Sequence, residues 1–207
     1  MTTGLRERKK QETRLQIADA ARRLFLERGF EAATVTDIAE AAGVSPATVF
    51  NYFPTKEDLL YNRLESFEEE LLDAIKGREP GEPILAAFAR FVTRPRGMLA
   101  SGEPEAGERL RAISRLISDS PALLAREQQI YEGCTDALAR LIVEETGARP
   151  GDVAPRVAAN AMIGLHRALV DYVRRQSLQD DADPKRMARA MRAQARKAVA
   201  LLERGLV

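Results

Sequence analysis

Between Thr34 and Leu60 the chain reads TVTDIAEAAGVSPATVFNYFPTKEDLL, with hydroxyl, amide and cationic side chains at spacings suited to a nucleic acid. Ser, Thr and Tyr hydroxyls can bond phosphate oxygens, an Asn amide can address a base edge, and a Thr methyl can touch a thymine methyl. A short helix starting at Pro46 would turn Ser45, Thr48, Asn51 and Tyr52 outward. Upstream, residues 5–23 hold seven basic and three acidic side chains, a local +4 concealed by the whole-chain charge of +1. Arg6, Arg8, Lys9, Lys10 and Arg14 are expected before the first helix or on its first turn. There they could lie along a phosphate backbone or reach a minor groove.

Those side chains need two short helices and a tight turn to hold them. Thr34 with Asp37 fits a capping box at the start of a helix over about Val35–Ala42. Ile38, Ala39 and Ala42 give that helix its buried face. Gly43 can end it with a positive φ, and Val44 plugs the turn. Ser45 caps the next helix, about Pro46–Tyr52, with Pro46 where a missing N–H is harmless. Val49 and Phe53 pack inward. Two short helices about a glycine turn read as a helix-turn-helix.

The rest of the chain is also helical. Apolar residues recur at 3.6-residue spacing, β-branched alternation is scarce, and aromatics are 5% of 207 residues. The fold class is therefore all-α, with about nine helices. The first runs from Glu12 to Arg28 and stops at Gly29; a long one runs from Lys56 to Lys76. Later ones cover about Glu82–Arg94, Glu105–Ser118, Ala122–Thr146, Asp152–Arg175 and Pro184–Arg204. The expected division is a helix-turn-helix DNA-binding domain at 1–55 and a helical domain at 56–207. The helix Lys56–Lys76 crosses into the second part and is the expected lever between them.

Several function classes are excluded. One cysteine, Cys134, permits neither an intramolecular disulfide nor a multi-cysteine zinc site, and one histidine, His166, makes a histidine-rich metal centre impossible. No metal or other cofactor is expected. Neither a nucleophile–base pair nor an apolar carboxylate cluster is evident; Glu68, Glu69 and Glu70 are expected on a solvent face. The chain therefore does not read as an enzyme. The charged N-terminus is no secretory signal and no apolar run of about 18 residues exists, so the expected location is cytoplasmic, away from the membrane.

The first 60 or so residues resemble the DNA-binding domain of the TetR family of bacterial transcriptional regulators. The resemblance is carried by I-x-x-A-A-x-x-L-F at Ile17–Phe25, by Gly29-Phe30, and by Thr34-Val35-Thr36-Asp37-Ile38-Ala39. It continues through Ala42-Gly43-Val44-Ser45, Thr48-Val49-Phe50, Tyr52-Phe53 and Lys56-Glu57-Asp58-Leu59. It implies a homodimer with the third helix of each subunit in a major groove of double-stranded DNA. By position, Thr36, Ser45, Thr48, Asn51, Tyr52 and Lys56 match family positions that touch DNA. With Arg6, Lys9, Lys10, Arg14 and Thr34 they form the expected DNA-binding set. Phe50 departs from the Tyr often found there and lacks its hydroxyl. A weaker likeness to one subgroup, at Arg109–Ser118 and Ser120–Glu127, implies a fatty acyl or acyl-CoA-like ligand.

The expected function is a ligand-responsive transcriptional repressor, released from a pseudo-palindromic operator by a small apolar or amphipathic molecule. A weakly specific architectural DNA binder and a helical adaptor are the alternatives. The expected ligand set is Phe67, Phe88, Phe91, Met98, Ile113, Ile117, Tyr131, Cys134, Met162 and His166. Each of these reads first as ordinary core. Cys134 reads first as a small buried hydrophobe, and His166 as a core histidine or a pocket's polar group. Asn160 could bond across to another helix or face a ligand. Arg109, Arg111 and Arg115 could meet an anionic head group or simply be solvated. The expected dimer interface is a four-helix packing. It takes Val157, Ala161, Gly164, Leu165, Ala168 and Tyr172 from one helix, and Met191, Ala195, Val199 and Leu202 from the last.

Overall fold

A computed structural model describes residues 2–101, 103, 105–179 and 183–205; the side chains of residues 2, 3, 5, 6 and 63–65 fall outside that description. Among the described residues there are nine α-helices, one 3-10 turn and no strand. They are α1 (Thr2–Arg28), α2 (Val35–Ala41), α3 (Pro46–Tyr52), α4 (Asp58–Lys76) and α5 (Ile84–Val92). After the turn at Gly97–Leu99 come α6 (Ala106–Asp119), α7 (Pro121–Thr146), α8 (Ala154–Ser177) and α9 (Pro184–Glu203).

The local signals act where the chain places them. Thr34 caps α2 in a full capping box with Asp37. Ser45 accepts the Thr48 N–H and Pro46 opens α3. Gly43 takes φ +62 between the two helices, and Gly29 takes φ +83 after α1. Asp183 caps α9 by accepting the Lys185 and Arg186 N–H groups.

The first helix departs from expectation. It starts at Thr2 rather than near Glu12, so Arg6, Lys9, Lys10 and Arg14 lie on a helix and not on an extended arm. This segment has no apolar stripe to announce it. It carries i,i+4 pairs instead: Arg8 Nε to Glu12 at 3.0 Å and Gln11 Nε2 to Glu7 at 3.5 Å.

Contacts group the chain into two units, residues 1–65 with 116–127, and residues 66–115 with 128–207. In the first, Ile17, Ala18, Ala21 and Phe25 of α1 are fully buried, with Ile38, Ala39, Val49, Phe53, Leu59 and Leu123 at 1% exposure or less. Gln16 Nε2 donates to Ala42 O at 2.9 Å, and Arg14 donates to Tyr52 O at 3.1 Å with its guanidinium 4.6 Å above Phe53. These bonds brace α1 against the ends of α2 and α3. Asp58 opens α4: its carboxylate accepts the Thr55 N–H at 2.9 Å and the Arg126 Nε–H at 2.6 Å. Tyr61 Oη donates to Leu123 O at 3.0 Å.

In the second unit α9 packs on α8, on α5 and on the 3-10 turn, and α8 also meets α5. Met187, Met191, Ala195 and Val199 are buried there. Three of them, Met191, Ala195 and Val199, belong to the expected dimer interface. The apolar face of α9 holding Met191, Ala195 and Val199 is occupied within the protomer. Each large apolar side chain removed from water contributes roughly 1.5–3 kcal/mol, so that face is already committed to the core. Leu165 of α8 also turns inward, at 8% exposure. The opposite strip of α8 stays open: Val157 is 61% exposed, Gly164 and Ala168 are exposed, and Ala161 and Tyr172 are half-buried. Leu202 is half-buried on α9.

Candidate nucleic-acid interface and effector site

The outward side of the α2–Gly43–α3 element carries Thr36, Ser45 and Asn51, all exposed, with Thr48 and Tyr52 half-buried. Its hydroxyls differ in what they have left to give. Thr34 Oγ1 donates to Asp37 Oδ2 at 2.6 Å and accepts the Asp37 N–H at 3.1 Å, so this hydroxyl is spent on the cap. The hydrogen bonds from Thr34, with the Arg28 cation, hold the Asp37 carboxyl below its ordinary pKa. Ser45 Oγ and Thr48 Oγ1 share one hydrogen across 2.9 Å, leaving one hydroxyl hydrogen of the pair for an outside acceptor. Lys56 sits 4.4 Å over the Phe30 ring and donates to Glu31 O at 3.3 Å. Lys9 and Lys10 are exposed on α1. The Arg6 side chain lies outside the described residues.

A second constellation lies in the C-terminal unit. Phe67 of α4 stacks on His166 of α8 with centroids 4.1 Å apart and planes 21° apart. Phe91 of α5 tilts against Phe67 at 5.5 Å, and Tyr131 of α7 meets His166 edge-on at 5.8 Å. The Arg96 guanidinium lies 3.4 Å over Phe91, donates to Phe91 O at 2.8 Å, and pairs with Glu70 at 3.4 Å. Arg167 lies 5.6 Å over Tyr131. Four helices thus bring four rings together with a cation at each end. Burial, and then the Arg96 charge, push the His166 pKa down to about 4, so its imidazole is neutral at pH 7. Cys134 is buried, and its thiol is pushed up to about 12 by burial and then by Glu68. It is an inert thiol rather than a nucleophile.

Two family models match the chain. The family described as bacterial regulatory proteins, tetR family, matches residues 17–61, and the MftR C-terminal domain matches residues 82–198. The chain belongs to the TetR family. It is 36% identical over 146 residues to the HTH-type transcriptional regulator TcmR of Streptomyces glaucescens, covering 70% of this chain and 65% of that one. It is 28% identical over 162 residues to MftR of Mycobacterium tuberculosis, a regulator named for mycofactocin biosynthesis, covering 76% and 78%. A solved TetR-family regulator from Rhodococcus sp. shares the fold, with TM-score 0.53 at 19% identity, covering 91% of this chain and 99% of that one. The relatives are transcriptional regulators and not enzymes, and this TetR-family chain is a DNA-binding transcriptional regulator. Among the described residues no helix is long and apolar enough to cross a membrane.

Within this TetR-family fold the expected ligand residues scatter. Phe67, Phe91, Tyr131 and His166 meet in the ring cluster, and Cys134 is buried against Glu68. Phe88 is fully buried and Met162 is 7% exposed, while Met98 and Ile113 are half-buried. Ile117 belongs to the first unit and not to the unit holding the rings. Two open grooves, of about 370 Å3 between α7 and α8 and about 430 Å3 between α5 and α9, are lined by none of the ten.

Three sequence readings are corrected. Asn160 neither crosses to another helix nor enters the cluster; it is exposed and donates to Arg156 O one turn back. Glu68 faces Cys134 rather than solvent alone. Arg111 is not on a solvated face: it donates to the carbonyls of Ser177 and Gln179, tying α6 to the end of α8, whereas Arg109 stays exposed and pairs with Glu103 and Glu105. Sequence reasoning missed Arg96, which stands in an irregular stretch with no periodicity to mark it. It also missed the Asp58–Arg126 pair, whose members are 68 residues apart.

Proposed function

We propose that this chain is a ligand-responsive repressor acting as a homodimer. Each protomer places α3 in a major groove of a pseudo-palindromic operator, with half-sites about one helical turn apart. The observation that carries this reading is the doubly capped α2–Gly43–α3 element, with Ser45 and Asn51 exposed on its outer side. Lys9 and Lys10 on α1 add phosphate contacts, which supply affinity and salt dependence without sequence choice. The open strip of α8 around Val157, Ala161, Gly164 and Ala168 is the dimer surface. Its small residues at four-residue steps allow close helix approach.

The effector is a small apolar or amphipathic molecule, a fatty acyl compound among the candidates, held at the Phe67–Phe91–Tyr131–His166 cluster. Rings supply most of the contact, and the neutral imidazole with Arg96 supplies the few polar groups that orient a ligand. Helix α4 contributes residues 58–65 to the first unit and 66–76 to the second, so displacement at Phe67 acts on the helix that opens at Asp58. A ligand with higher affinity for the released form shifts the population by that difference alone.

Selection from random duplexes tests the DNA half of this reading. A consensus of two related half-sites is expected; absence of enrichment refutes site-specific regulation. Native mass spectrometry of the freshly purified protein tests the rest. A dimer carrying a discrete extra mass is expected, and a clean monomer overturns the paired half-site arrangement. In a Phe67→Ala variant the reciprocal coupling between ligand and operator affinities should fall; unchanged coupling removes α4 from the route.

A further inference from the structure

Phe50 is 50% exposed on α3, a helix of seven residues whose buried anchor is Val49 at 1% exposure. A lone exposed apolar residue elsewhere on a surface needs no explanation. This one has a particular place. At 100° per residue, Ala47 and Asn51 lie opposite Val49, with Phe50 at one edge of that outward arc and Thr48 at the other. Ala47, Phe50 and Asn51 are exposed, while Thr48 is half-buried and shares a hydrogen with Ser45 Oγ. The exposed part of the arc is therefore one amide beside a phenyl ring and a methyl group. It holds no cation, so it lacks the group that most often reads guanine.

We infer that this arc makes each half-site A·T-bearing, with Asn51 pairing with an adenine edge and Phe50 packing on the 5-methyl group of a neighbouring thymine. The inference rests on the operator-binding reading above. An adenine presents N7 and N6 to a bidentate amide, and the thymine methyl is the one apolar group that the bases display in the major groove. Consecutive residues rise about 1.5 Å along α3 and turn by about 100°, so Phe50 and Asn51 point toward different base pairs rather than the same one. A phenyl ring cannot donate to a phosphate, so its contribution is selective for a methyl-bearing base. Phe50 is then a specificity-determining residue, and its loss changes which sequence is chosen.

The test uses the full-length protein and the duplex that it selects from a random pool. Each thymine is replaced in turn by deoxyuridine, which removes only the 5-methyl group, and affinity is read by fluorescence anisotropy. For the wild type, one deoxyuridine position per half-site should weaken binding roughly three- to fourfold, the worth of one buried methyl, and about tenfold when both half-sites carry it. In Phe50→Ala that penalty should vanish while the penalties at other positions persist. Phe50→Leu, which keeps an apolar side chain, should retain part of it, and matching circular dichroism melts confirm folding of both variants. An equal deoxyuridine penalty in wild type and Phe50→Ala overturns the inference. So does a Phe50→Ala loss that is uniform across unrelated duplexes, which marks a backbone contact. A selected consensus without A·T pairs overturns it while leaving site-specific regulation intact; no consensus at all removes both.

Discussion

Asp58 offers the sharpest stability test of the N-terminal unit. Its side chain is 1% exposed and serves two donors, the Arg126 Nε–H at 2.6 Å and the Thr55 N–H at 2.9 Å. Asp58→Ala removes both bonds at once. A charge-assisted hydrogen bond is worth about 1.5–3 kcal/mol, and a helix-start cap about 1 kcal/mol. Arg126 is 30% exposed, so water already screens part of the pair and the lower end applies. The expected loss is about 2.5 kcal/mol for Asp58→Ala. Asp58→Asn keeps an acceptor for Thr55 and should lose about half as much. Arg126→Met keeps the alkyl stem but leaves the carboxylate buried without its cation, costing about 2 kcal/mol. Urea unfolding at fixed protein concentration gives each value, and the double variant gives the coupling, expected at about 1.5–2.5 kcal/mol. A coupling below about 0.5 kcal/mol would mean that the short bond contributes no net attraction.

Three further outcomes are expected. His166 takes its proton near 6.5 when unfolded and only near 4 when folded, so the unfolded chain binds more protons between those values. Its contribution to stability is complete above pH 6.5 and is lost as pH falls toward 4; His166→Phe, which preserves the ring stack, should remove that share of the acid-side slope in urea midpoints, and parallel slopes would refute the assignment. Cys134, with its thiol pushed up to about 12, should react with a thiol reagent at pH 8 far more slowly in the native protein than in the urea-unfolded chain, and equal rates would show that it is open. Val157→Glu places a charge on a residue that is 61% exposed, so the fold should change by no more than about 0.5 kcal/mol while sedimentation shifts from dimer to monomer. A dimer unmoved by that charge would place the interface elsewhere.

The sequence displayed α2 and α3 well because each boundary is made by a side chain acting on its own backbone: Thr34 with Asp37, Ser45 with Pro46, and Gly43 at φ +62. The start of α1 was invisible for the opposite reason. Thr2 to Gln11 has no apolar stripe, and its described side chains pair with each other at i,i+4 along the helix. Periodicity also identified the apolar face of α9 without saying what covers it. Met191, Ala195 and Val199 would look the same in sequence whether they met a partner or, as here, α5 and α8. The ring cluster was half legible. Phe67, Phe91, Tyr131 and His166 stood out by type, but the order in which they stack depends on the packing of four separate helices. Ile117 fell in the other unit because one helix, α6, is divided between the two.

The grouping of residues 116–127 with the first 65 bears on how such regulators can be recombined. A graft that joins one parent's first 65 residues to another's remainder treats the reading head as a single segment. Here it consists of two. Asp58 needs Arg126, Tyr61 needs the carbonyl of Leu123, and Glu31 accepts from Ser120 Oγ at 3.3 Å. A chimera cut once at residue 65 takes each half of these bonds from a different parent, and its new head would be loosened before it met any DNA. A chimera that carries residues 1–65 and 116–127 together keeps all three bonds, so those twelve residues are the portion of the head that a single-cut exchange leaves behind.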